Sequence, residues 1–122
     1  MKQHSFIHPF NSGAEYLTDE RCYINEYLNE GADGMSIARA RVEPGITTAW
    51  HRLHGVTERY VILEGRGRME IGDEPAFDVY AGDTVVIPPG TRQRIANIGP
   101  DELVFLCLCT PGFTPECYEP LE

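Results

Sequence analysis

Turn residues recur at short intervals from residue 31 onward, and that spacing leaves room for short strands and little else. Segments 31–34, 44–45, 64–67, 72–75, 81–83, 88–90 and 97–101 hold the glycine, proline and small polar residues that reverse a chain. Between them lie short runs rich in Val, Ile, Tyr, Phe and Leu, over residues 36–42, 60–63, 69–71, 77–80, 84–87, 92–96 and 103–109. Regular short strands with turn signals predict an all-β sandwich or barrel. Residues 36–42 alternate Ala38, Ala40 and Val42 with Arg39 and Arg41, a period of two and hence a strand with unlike faces. The run 103–109 is apolar on both faces, so both sides are expected to be covered. No long helix is predicted.

The regular part is preceded by an arm, residues 1–33, carrying Phe6, Ile7, Phe10, Tyr16, Tyr23 and Tyr27. So many aromatics in an arm predict packing, on this barrel or on a neighbour's. Within it, Thr18 is placed to cap one helical turn through Glu20 and Arg21, ahead of a strand near residues 22–28. The barrel is assigned to residues 34–117 and a tail to 118–122. At 122 residues the chain suits one domain.

Charge narrows the partners. Nineteen acids against ten bases give a net charge of −9. No Lys/Arg cluster forms the basic stripe that nucleic acid requires, and an acidic surface is repelled by anionic lipid. No apolar run approaches the ~20 residues that span a membrane. A cytoplasmic protein is expected, with a small molecule, a metal or a second copy of the chain as partner. Cys22, Cys107, Cys109 and Cys117 form no Cys-x-x-Cys pair, so a zinc ribbon is not expected; they read as small buried hydrophobes, with a soft ligand or redox thiol at the barrel wall the alternative for Cys107 and Cys109.

Polar residues with a common parity mark a site. If residues 54–57 form a four-residue hairpin loop, Leu53 faces Glu58 and His51 faces Tyr60. All four side chains then point to one side, and His51 and Glu58 become diagonal neighbours at roughly 7–8 Å between backbones. His54 has the wrong parity. Beyond the turn at Pro88-Pro89-Gly90, residues Gln93, Ile95 and Asn97 share one face, and Arg92 and Arg94 the other. Trp50 falls on the outer face, and Arg39 and Arg41 on a solvated or interface face. His4 and His8 lie in the arm and carry no motif.

These residues resemble those of the cupin superfamily. Gly45, five residues, His51, then Glu58, six residues, Gly65 is similar to the first cupin motif. Gly82, five residues, Pro88-Pro89-Gly90, two residues, Gln93, three residues, Asn97 is similar to the second. Together they span nearly half the chain. The resemblance implies a jelly-roll, double-stranded β-helix barrel and frequent homodimerisation, often with exchange of an N-terminal strand. It also implies a lumenal metal site of three histidines and a glutamate. Carried over by position, His51 and Glu58 are present, Leu53 takes the second histidine's place, and Gln93 takes the third's. His51, Glu58 and Gln93 are thus the candidate ligands of a divalent ion (Fe, Mn, Zn or Ni), with His54 the only stand-in for Leu53.

Two functions follow. In the first, a metal-dependent enzyme acts on a small organic substrate, with Glu58 or Tyr60 moving a proton; oxygenase, isomerase and lyase chemistries all fit. In the second, a non-enzymatic binding or sensor module holds a small ligand in the lumen without metal. The same residues would then form a buried network, Gln93 amide to Glu58 carboxylate and His51 ring to Tyr60 hydroxyl.

Overall fold

The structure, a computed structural model, describes residues 6–122; His4 lies outside them. Two antiparallel sheets face each other. The first runs, in spatial order, β1 (Tyr16–Leu17), β2 (Tyr23–Asn29), β3 (Ser36–Val42), β10 (Leu103–Thr110), β5 (Thr57–Glu64) and β8 (Thr84–Ile87). The second runs β11 (Tyr118–Pro120), β4 (His51–Leu53), β9 (Gln93–Asn97), β6 (Arg66–Ile71) and β7 (Phe77–Tyr80). This is the expected all-β jelly roll.

Alternation decides what enters the barrel. On β5, Glu58, Tyr60 and Ile62 are buried, while Arg59 and Val61 between them are half-exposed. Ala40 and Val42 of β3, Phe105 of β10, Met69 of β6 and Ile95 of β9 meet them in one core. Each large side chain among these contributes about 1.5–3 kcal/mol by leaving water. On β10 the expected cover on both faces holds at Val104, which is buried, but Leu106 and Leu108 are only half-buried. Arg41 lies outside, bonded to Glu15 and Glu102 and stacked 4.1 Å from the Tyr23 ring centroid.

Much of the arm joins the chain's own barrel. β2 pairs with β3, with Ile24 opposite Ala40, and β1 pairs with β2. The link between β1 and β2 is a turn rather than a helix: the Thr18 hydroxyl accepts from Glu20 N at 3.2 Å, and Arg21 takes φ +69. At the other end, residues 118–120 are drawn out of the tail into β11, which pairs with β4.

The hairpin expected between residues 51–53 and 58–60 does not form. β4 and β5 belong to different sheets, and the chain crosses between them through residues 54–56, with Gly55 at φ +71. Parity survives this correction because both sheets bury the side chains that point inward. Periodicity reports which face a residue takes, not which strand it pairs with. Gly65, at φ +89, marks the β5–β6 junction. A Cβ there would sit 2.6 Å from the Glu102 carbonyl oxygen, so no larger residue fits.

Candidate functional site

The two sheets bring His51, Glu58, Tyr60 and Gln93 together inside the barrel, all buried. His51 and Gln93 are register partners on β4 and β9. Glu58 and Tyr60 approach from β5 in the opposite sheet. The Tyr60 hydroxyl donates to Gln93 Oε1 at 2.8 Å, and Gln93 Nε2 donates to Glu58 Oε1 at 2.8 Å. The Cys109 thiol, on β10 opposite Glu58, completes the shell at 3.8 Å from Glu58 Oε2. Tyr60, Gln93, Glu58 and Cys109 therefore form one continuous chain of hydrogen bonds.

His51 stands apart from this chain. The expected bond from its ring to the Tyr60 hydroxyl is not the one made. Instead its Nδ1 lies 2.9 Å from the Ala49 carbonyl oxygen. A carbonyl only accepts, so Nδ1 carries a proton and donates it to Ala49. The ring stacks on Tyr118 of β11, centroids 5.3 Å apart, and Glu20 Oε2 lies 3.7 Å from Nδ1.

Burial controls the acid–base character of the site. Desolvation pushes the Glu58 carboxyl up to about 7, against the opposing pull of the His51 charge and the Gln93 hydrogen bond. Tyr60 is raised well above its ordinary value by burial and then by the Glu58 charge. Cys22 and Cys109 are pushed up to about 12, chiefly by burial.

A cavity of about 290 Å³ opens beside these groups, at the small end of ligand pockets. Its walls include Ala38, Ala40, Leu53, Phe105 and Phe113, with Cys22, Cys107 and Cys109 lining it as well. Its mouth is formed by the Thr18–Cys22 turn and by Tyr118. Glu20 and Tyr118 are site residues that the sequence did not reveal. They sit in the arm and the tail, outside both motifs, and only the β4–β11 pairing and the turn between β1 and β2 bring them to the lumen.

The remaining candidates fall elsewhere. His54 is exposed and bonds Glu119 at 2.5 Å, so it does not stand in for Leu53. Leu53 packs in an apolar cluster with Val56, Cys109 and Cys117. Trp50 lies on the outer face between the guanidinium groups of Arg92 and Arg94, at 4.7 and 4.5 Å. Asn97 is structural: its amide donates to the carbonyls of Val42 and Asp101.

The donors do not fit the metal centre that the resemblance implies. A divalent ion needs several converging donors. Gln93 can ligate only through its oxygen, which accepts from Tyr60, and it turns its nitrogen toward Glu58. Leu53 offers nothing. Among the described residues, no group of three His, Cys, Asp or Glu is placed to hold an ion. No helix among them is long and apolar enough to cross a membrane.

Comparison with known proteins agrees with this architecture. The cupin domain family model matches residues 38–109, which is more than half of the chain. The chain belongs to the cupin family. A relative, the uncharacterized protein MJ1618 of Methanocaldococcus jannaschii, is 39% identical over 110 residues, covering 88% of this chain and 87% of the relative. Among solved structures, a conserved Klebsiella pneumoniae protein with a double-stranded β-helix domain superposes with a TM-score of 0.77 at 17% identity, covering 93% of this cupin and 96% of that chain. The capsular polysaccharide assembling protein CapF of Staphylococcus aureus gives a TM-score of 0.73 at 23% identity, over 88% of this chain. This cupin spans only about a third of CapF, 34% of that chain. Both likenesses are likenesses of fold.

Proposed function

We propose that this cupin binds a small organic molecule in its lumen without a metal ion. The observation that carries this reading is the Tyr60–Gln93–Glu58 chain, which occupies with hydrogen bonds the place where the family resemblance puts ligands. The cavity beside it supplies an apolar body, and Glu58, Tyr60 and His51 supply the few polar groups that orient a ligand. A metal-centred reading requires the Gln93 amide, whose nitrogen now faces Glu58, to present its oxygen to an ion shared with Glu58. Thermal-shift screening with small amines, acids, alcohols and sugars, in chelator and in added Mn²⁺ or Zn²⁺, separates the two. A ligand that raises Tm equally in chelator supports the metal-free site. Stabilisation that needs the added ion overturns it.

Proton transfer on the bound molecule is a second reading, and one observation favours it. A buried carboxyl at about 7 beside a cavity is matched to general acid–base work near neutrality. Conversion of a bound compound that Glu58→Gln abolishes would establish it; a compound recovered unchanged would leave a binding module.

A further inference from the structure

The charge on the cavity wall is one-sided. Asp19, Glu20, Glu26 and Glu58 line the cavity, and His51 is the one basic side chain among its lining residues. Among the described residues, no Arg lines it, and the chain's one lysine, Lys2, lies outside them. Arg41, Arg52, Arg92 and Arg94 are paired on the outside with Glu15, Glu119, Asp73 and Glu70.

At the bottom of the cavity, the buried Glu58 is held by neutral groups, the Gln93 amide and the Cys109 thiol. Neither supplies a counter-charge, which leaves His51 as the one cationic group facing it. His51 directs its Nδ1 proton at a backbone carbonyl, away from a ligand. The donors of the polar floor, on Tyr60, Gln93 and Cys109, are already committed to one another and to Glu58.

We infer that the lumen takes a protonated amine, a small organic cation with an apolar body, in preference to an organic acid. This rests on the metal-free lumenal reading and specifies its ligand. An ammonium group adds positive charge beside Glu58 and donates N–H bonds to a carboxylate, the stronger kind of hydrogen bond. The aromatic residues Tyr60, Phe105, Phe113 and Tyr118 line the same walls, and an aromatic ring attracts a cation that reaches its face. An organic anion meets the opposite conditions: its carboxylate would lose water beside Glu58, with no guanidinium or ammonium among the described lining residues to receive it. The exposed Asp19 and Glu26 and the half-buried Glu20 extend the same sign from the rim inward, which draws cations to the mouth.

Three compact probes of like shape and different charge test this on the full chain by calorimetric titration: benzylamine, benzyl alcohol and benzoate. Benzylamine is expected to bind at least about tenfold tighter than benzoate. Glu58→Gln, which keeps shape and hydrogen bonding but removes charge, is expected to weaken benzylamine roughly tenfold and benzyl alcohol less. Glu20→Gln, at the mouth, keeps the test informative if the Glu58 variant does not fold. It is expected to weaken benzylamine by a smaller factor that shrinks with added salt. Benzoate binding as tightly as benzylamine overturns the inference, as does benzylamine binding that both variants leave unchanged. Benzyl alcohol binding with no preference for the amine overturns the charge selection while leaving the lumenal site intact. Silence from all three probes overturns both.

Discussion

Gln93 joins the two sheets through Glu58: its amide nitrogen, carried on β9, donates across the barrel to Glu58 Oε1 on β5 at 2.8 Å. The same side chain accepts from Tyr60, so one amide satisfies a buried carboxylate and a buried hydroxyl together. A position at which the family resemblance implies an imidazole is therefore built into a hydrogen-bond bridge.

Removing that bridge leaves the buried Tyr60 hydroxyl without its acceptor and Glu58 Oε1 without its donor. Gln93→Leu keeps much of the volume and removes both bonds. It is expected to lower stability by about 2–4 kcal/mol, because unpaired buried groups cost their full desolvation. Chemical denaturation measures this. A loss below about 0.5 kcal/mol would show that the bridge contributes little.

The site's pH dependence follows from Glu58. Its carboxyl ionises at about 7 in the fold, against an ordinary 4.5. Between those values the folded chain holds a proton that the unfolded chain has released, so stability falls as pH rises through this window. The penalty is fully present above pH 7 and absent below about 4.5. Urea midpoints for wild type and Glu58→Gln at pH 5 and pH 8 isolate this group from the surface carboxylates. Glu58→Gln is expected to lose less stability than wild type between the two pH values; parallel behaviour of the two proteins would contradict the assignment.

The lumenal thiols are expected to be inert. Cys109 is pushed up to about 12, so its thiolate is scarce at neutral pH. Iodoacetamide should modify Cys109 in the folded chain roughly a thousandfold more slowly than in denaturant. Peptide mapping after native labelling checks this, and rapid labelling of Cys109 would place it outside the closed lumen.

His54 is predicted to be dispensable to the lumen. Its bond to Glu119, shared with Arg52, lies on the surface. His54→Ala should change stability by less than about 1 kcal/mol and leave lumenal ligand binding unaltered. Loss of binding in this variant would mean that His54 reaches the cavity.

How far the sequence could be read differs between the fold and the site. Turn spacing and the two motifs were enough for the barrel, since glycines such as Gly65 are required by backbone geometry that few other residues meet. Parity correctly assigned His51, Glu58, Tyr60 and Gln93 to the interior. It misplaced their relationship, because β4 and β5 lie in opposite sheets and the real partner of His51 is Gln93. The orientation of the Gln93 amide was beyond reach: it depends on Tyr60 and Glu58, from the facing sheet, binding its two ends. Glu20 and Tyr118 were also illegible, since long-range pairing of an arm and a tail leaves no local pattern.

The metal-free lumen is tested most directly by elemental analysis of the protein purified without chelator, then dialysed against Mn²⁺, Fe²⁺, Zn²⁺ and Ni²⁺ in turn. The expected result is well below one equivalent of any ion, unchanged in His51→Ala. One tightly held ion per chain that disappears in both His51→Ala and Gln93→Ala would contradict it.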